Sequence, residues 1–125
     1  MKLSIKQSLK NLSDNNKTIT YIEGQKNKNN ITYQIDNEKH ILKIISPNKI
    51  ILNRNNDNIE CTLYFEKNKK TSSLYFLKEE GYNIEIDIKT TSLEINDNII
   101  IINYTVIDSN ENYEYIIEMS EKRWV

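Results

Sequence analysis

His40 is the only histidine of the chain and Cys61 its only cysteine, so imidazole or thiol chemistry would have to run through one of these two residues. His40 stands beside Glu38 and Lys39 at a strand start, a placement that suits an exposed or structural imidazole better than a catalytic one. Cys61 alternates in phase with Ile59, Leu63 and Phe65 and is expected to face a core as a small hydrophobe; a thiolate nucleophile would need a nearby cation or a helix N-terminus. Two such residues cannot supply the four ligands of a structural zinc site, and Asp57 and Asp97 lack the spacing of a calcium loop. Glu79-Glu80 could be an acid–base pair, yet adjacent residues on a turn ahead of Gly81 point apart and are expected to be solvated. Gly24 and Gly81 are isolated, so there is no glycine-rich phosphate loop. Lys67, Lys69 and Lys70 form the one basic knot and are expected at a hairpin tip, where they solubilise a turn. These residues give no catalytic group, no metal site and no cofactor. The aromatic set is the unusual feature: eight Tyr, two Phe and one Trp. An inward Tyr buries a large ring while its hydroxyl still needs a partner, so it lines either a polar-tipped core or a ligand cavity.

The chain that must position these residues has 125 of them, enough for a single domain (1–125) with a real core. Ile, Asn and Lys dominate, Ala is absent and there are two Gly and one Pro. This skew fits codon bias in an AT-rich bacterial genome, and it favours strands, since the best helix former is missing. Seventeen basic against eighteen acidic residues leave a net charge of -1, with no field to draw the protein onto nucleic acid or an anionic membrane. Met1 to Lys6 alternates apolar and polar residues where a signal peptide would carry an apolar run, and the lone cysteine agrees with a reducing compartment. A cytoplasmic protein is expected.

Period-two alternation recurs along most of the chain, and helical spacing is sustained nowhere. In Tyr82 to Thr90, Ile84, Ile86 and Ile88 point one way and Glu85, Asp87 and Lys89 the other. The apolar parity then shifts to Leu93 and Ile95, which predicts a β-bulge or short break between Thr90 and Ser92. Similar runs occupy Lys2–Leu9, Lys17–Glu23, Ile31–Asp36, His40–Ser46, Lys49–Arg54, Glu60–Glu66, Ser72–Leu77, Ile99–Ile107 and Tyr113–Ser120. Asn-rich turns separate them, with Asn and Asp taking the left-handed backbone that scarce Gly cannot supply. Short connections leave no room for crossover helices, so the fold class is all-β: an antiparallel meander, closed because ten strands in an open sheet would leave two long edges. Ile99–Ile107 is apolar on both faces, which calls for cover by a terminal segment or a second subunit.

From Lys49 to Glu118 the strand signatures fall in a specific order. Ile50-x-Leu52-x-Arg54 leads to Leu63-x-Phe65, then Ser73-x-Tyr75 with Gly81 after the turn. Ile86-x-Ile88-x-Thr90-x-x-Leu93-x-Ile95 and Ile102-x-Tyr104-x-Val106 complete the series. In this order and spacing the chain resembles the YwiB-like family of small bacterial proteins with a calycin-like, that is lipocalin-like, barrel. It departs from that pattern at Asn55, where Gly is usual, and at Leu77, where Thr is typical. The resemblance implies a calycin-like barrel of about eight to ten strands, and it brings no activity with it. It also implies that Tyr75 and Tyr104 share the interior with Leu63, Phe65, Ile86, Ile88, Ile102 and Val106.

Arg54 then becomes the leading site residue. It ends a strand on the face of Ile50 and Leu52, at or inside the barrel rim, able to fork onto a carboxylate or phosphate. The alternative is an Arg54 that caps the barrel by binding loop carbonyls and packing on a ring. Arg123-Trp124 could close one end similarly, or fray. The functional expectation is a non-catalytic barrel that binds a small amphipathic or anionic ligand through Arg54, Tyr75 and Tyr104. The other expectation is a protein-interaction or assembly module, homo-oligomeric through Ile99–Ile107 or the outward-facing Ile116.

Overall fold

The structure, a computed structural model, describes residues 2–121; the expectations placed on Arg123-Trp124 lie outside the described residues. Alternation becomes strand throughout. The strands are β1 (Lys2–Asn11), β2 (Lys17–Asn27), β3 (Asn30–Ile35), β4 (Glu38–Ser46), β5 (Lys49–Asn55), β6 (Ile59–Glu66), β7 (Lys70–Leu77), β8 (Tyr82–Ile95), β9 (Ile99–Val106) and β10 (Glu111–Ser120). Each pairs antiparallel with its sequence neighbours, and β1 pairs with β10 to close the barrel, with Ser4 opposite Ser120 and Asn11 opposite Tyr113. The parity shift in β8 is a register slip against β9 between Thr90 and Ser92, so the strand bends there and continues.

The turns use Asn and Asp as their composition suggests. Asn15, Asp36, Asn68 and Asn110 have φ of 63, 53, 63 and 58°. In the matching turns Asn56-Asp57-Asn58 and Asn96-Asp97-Asn98 the first Asn Oδ1 accepts two backbone N–H bonds, at 2.8 and 2.9 Å and at 3.1 and 3.0 Å. The lysine knot sits at such a turn, where Lys69 meets Glu66 at 3.3 Å and Lys70 meets Asp87 at 3.5 Å.

The barrel has two ends of different character. The turns 28–29, 47–48, 67–69 and 96–98 lie at one end, the base, with the start of β1 and the end of β10; the turns 12–16, 36–37, 56–58, 78–81 and 107–110 ring the other, the mouth. Toward the base the interior is filled by Ile5, Ile31, Leu42, Ile50, Ile100, Ile102 and Ile117, all fully buried. Burying each such side chain stabilises the fold by about 1.5–3 kcal/mol, so this half holds the barrel shut. Leu63, Phe65, Ile88, Ile102, Tyr75, Tyr104, Ile86 and Val106 all belong to the core cluster or pack on it. β9 lies between β8 and β10 and is no edge strand. On its outer face Ile101 is half-buried, opposite Ile116 of β10.

β2 does not follow β3 to the mouth. Their pairing ends at Gly24 opposite Tyr33, after which β2 stays on β1 and β3 turns away toward β4. A Cβ at Gly24 would collide with Ile5 Cδ1 and come within 2.7 Å of the Thr32 carbonyl oxygen, so the close crossing that precedes the split needs glycine.

Candidate functional site

One rung of the barrel carries most of the polar interior. Register places Tyr33, His40, Arg54, Cys61 and Tyr75 opposite one another on β3, β4, β5, β6 and β7, on the inner face. From the facing wall, Gln7 of β1 and Tyr115 of β10 complete the ring. The Tyr33 and Tyr115 hydroxyls contact each other, and each lies 2.7 Å from Gln7 Oε1. Tyr104 packs on Phe65 and Tyr113, with ring centroids 5.0 and 5.4 Å apart.

Arg54 binds Glu38 through its Nε, and Asn56 Nδ2 also donates to that carboxylate at 3.3 Å. No other described residue hydrogen-bonds the terminal nitrogens of Arg54, which leaves that side of its fork free. His40 is 4% exposed and stacks on Tyr33 at 4.8 Å. Its Nε2 lies 3.3 Å from Glu38 Oε1, and its buried Nδ1 has no hydrogen-bond partner.

Burial sets the charge states. Burial, helped by the Arg54 guanidinium, brings the His40 pKa down to about 4, so the imidazole is neutral at pH 7. Burial alone would raise the Glu38 carboxyl, but the Arg54 hydrogen bond and charge overcome it and hold the group below its ordinary value. Burial pushes the Cys61 thiol up, and the Tyr75 hydroxyl beside it up to about 12. It also raises Tyr33, Tyr104 and Tyr115. At neutral pH the rung therefore holds one compensated ion pair among neutral hydrogen-bonding groups.

Where β2 leaves β3, a cavity of about 440 Å³ opens, lined by Leu9, Thr20, Ile35, Glu38, His40 and Arg54 among others. A space of about 60 Å³ lies against Tyr104 and Tyr115, and another of about 110 Å³ against Cys61 and Tyr75; Arg54 lines all three. The structure thus brings Arg54 to the mouth interior and sets Tyr75 and Tyr104 in the two smaller spaces that it borders. Cys61 faces inward, and Glu79 and Glu80 are exposed. Among the described residues no cluster of His, Cys, Asp and Glu could hold a metal ion. Sequence reasoning missed Glu38, Gln7, Tyr33 and Tyr115. The usable signal was strand parity: Tyr33 is in phase with Ile31, and Tyr115 with Ile117.

Residues 4–119 match the model of a family described as a domain of unknown function, DUF1934. The chain belongs to the DUF1934 family. A crystal structure of the ywiB protein from Bacillus subtilis is similar in fold, with a TM-score of 0.66 over 98% of this chain and 91% of that one, at 17% identity. The fold of this DUF1934 chain therefore agrees with the YwiB-like resemblance of its strand signatures. No match was found among the curated proteins.

Proposed function

We propose that the protein is a non-catalytic binding module that holds a small amphipathic ligand at the mouth of a barrel used in the calycin manner, in the cytoplasm. The observation that carries this reading is the cavity of about 440 Å³ bordered by Arg54, whose terminal nitrogens have no hydrogen-bond partner among the described residues. The free side of the Arg54 fork suits a carboxylate or phosphate. Leu9 and Ile35 offer the apolar part of the wall. Tyr75 and Tyr104 line the two smaller spaces that Arg54 also borders, outside the 440 Å³ cavity itself. The neutral state of His40, the Cys61 thiol and the tyrosines supports holding a ligand over proton transfer at pH 7.

Native mass spectrometry of the protein purified from cells tests the reading. A discrete excess mass on the monomer, lost in Arg54→Ala while the thermal melt stays cooperative, is the expected result. A bare protein whose melting temperature no amphipathic carboxylate or phosphate raises would end it.

A second reading, homo-oligomeric assembly, is favoured by the outward Ile101–Ile116 pair, which Ser8 and the exposed Ile19 continue across β1 and β2. Sedimentation of a strict monomer at high concentration would remove it.

A further inference from the structure

We propose that the free upper edge of β8 is a docking edge for an extended segment of a partner protein that carries Lys or Arg on alternate residues. β8 pairs with β7 along its full upper half, up to Tyr82 opposite Leu77, but its pairing with β9 reaches only to Ile88 opposite Val106. The last bond across that seam runs from the Ile107 N–H to the Asp87 carbonyl at 3.0 Å. Because backbone groups alternate sides along a strand, the N–H and C=O of Glu85 and Asn83 face the same way as the Asp87 carbonyl. Among the described residues no strand meets them. The hairpin thus overhangs the rim with one edge unpaired, the geometry that accepts an added strand.

The side chains around this edge are apolar and exposed. Tyr82 and Ile84 are 54% and 41% exposed on the inner face, Leu74 is 43% exposed on the outer face, and Ile107 is 37% exposed where the notch closes. Charge decides the occupant. Glu85 and Asp87 project from the outer face, and Glu79, Glu80 and Asp108 sit in the two nearest turns. Lys78 is committed to Asn55 Oδ1 and the Asn56 carbonyl at 2.6 and 2.7 Å, and Lys89 lies on the stretch of β8 that β9 already covers. Asp87 is held by Lys70 at 3.5 Å and by the Ser72 hydroxyl at 2.8 Å, so the open carboxylate on the unpaired stretch is that of Glu85. A second copy added antiparallel about Glu85 would set that carboxylate against its counterpart, which is unfavourable. A strand with alternating basic and apolar residues instead meets Glu85 and the turn carboxylates of Glu79, Glu80 and Asp108 with one face and Tyr82 and Ile84 with the other.

The test is a fluorescence anisotropy titration with two labelled, end-blocked peptides, one alternating Lys and Val and one alternating Glu and Val. The Lys peptide is expected to bind at least about tenfold more tightly than the Glu peptide, and added salt to narrow the gap. Asn83→Pro removes one edge N–H without touching the β7 ladder, and is expected to weaken the Lys peptide about tenfold. Glu85→Lys keeps the backbone and is expected to reduce or reverse the preference between the peptides, which keeps the test decisive if the proline variant fails to fold. Absence of binding, equal binding of both peptides, or a preference that Glu85→Lys leaves unchanged would overturn the proposal. In that case these carboxylates only guard an open edge against aggregation.

Discussion

Acidification should destabilise this protein in a pH window that belongs almost entirely to one side chain. His40 is the only histidine of the chain, and its folded-state pKa is lowered from 6.5 to about 4 by burial and by Arg54. Its environment also includes the Glu38 carboxylate, which opposes the shift without cancelling it, and the Tyr33 ring stacked on it. Between those two pKa values the unfolded chain binds a proton that the folded chain does not, so stability must fall as pH drops from about 6.5 toward 4. Taking about 6.5 for the unfolded chain, the loss between pH 7 and pH 5 is about 2 kcal/mol, approaching about 3 kcal/mol in full. Glu38 acts in a different window. Its carboxyl is held low by Arg54, so its stabilisation is present above the ordinary carboxylate range and is lost only as pH falls through that range. Urea unfolding followed by circular dichroism at pH 7, 6 and 5 measures the slope. His40→Phe, which keeps a ring for Tyr33 to stack on, should flatten it. The reasoning fails if the wild type loses nothing over this range, or if the variant shows the same slope.

Two further perturbations probe the parts that position the site. Gly24→Ala should cost about 1–3 kcal/mol in urea unfolding, because the added Cβ meets Ile5 and a backbone carbonyl that cannot swing aside; a neutral result would show that β2 and β3 can separate at their crossing. Tyr33→Phe and Tyr115→Phe should each cost about 1 kcal/mol, since both hydroxyls pair with Gln7 Oε1. In a double-mutant cycle the pair should cost less than the sum, and strict additivity would deny that the three groups act together.

How much of this was legible in the sequence depends on the range of the information needed. Strand identity is local: Ile84, Ile86 and Ile88 alternate with charged residues, and the parity slip after Thr90 is itself the signature of the bulge found against β9. Arg54 was legible for the same reason, as it shares a face with Ile50 and Leu52. The partners of Arg54 were not. Glu38 meets it across a hairpin whose register the alternation does not state. Gln7 meets Tyr115 from 108 residues away, through the β1–β10 closure that only the complete barrel defines. His40 reads from the sequence as either exposed or structural, and the register resolves this by pressing it between Tyr33 and Arg54 on the inner face. The unpaired edge of β8 was invisible, since it depends on where β9 stops.

The two openings at the mouth have separate local causes, which argues that they are built features of this chain. Among the strand pairs joined at the base, β4–β5 and β6–β7 stay paired up to the mouth, at Lys39 opposite Asn55 and at Ile59 opposite Leu77. Only β2–β3 and β8–β9 part. The first separation begins at Gly24, the one residue that fits the close crossing there. The second follows the slip between Thr90 and Ser92, after which β8 keeps only a short further contact with β9. A bulge increases local twist and re-aims the strand beyond it, so the upper half of β8 swings away with β7. Each device costs some pairing in the sheet, and the fully buried aliphatic layer toward the base offsets that cost by keeping the barrel closed below. Arg54 and His40 lie above that layer and beside the first opening, where polar groups can be half-shielded without disturbing the core.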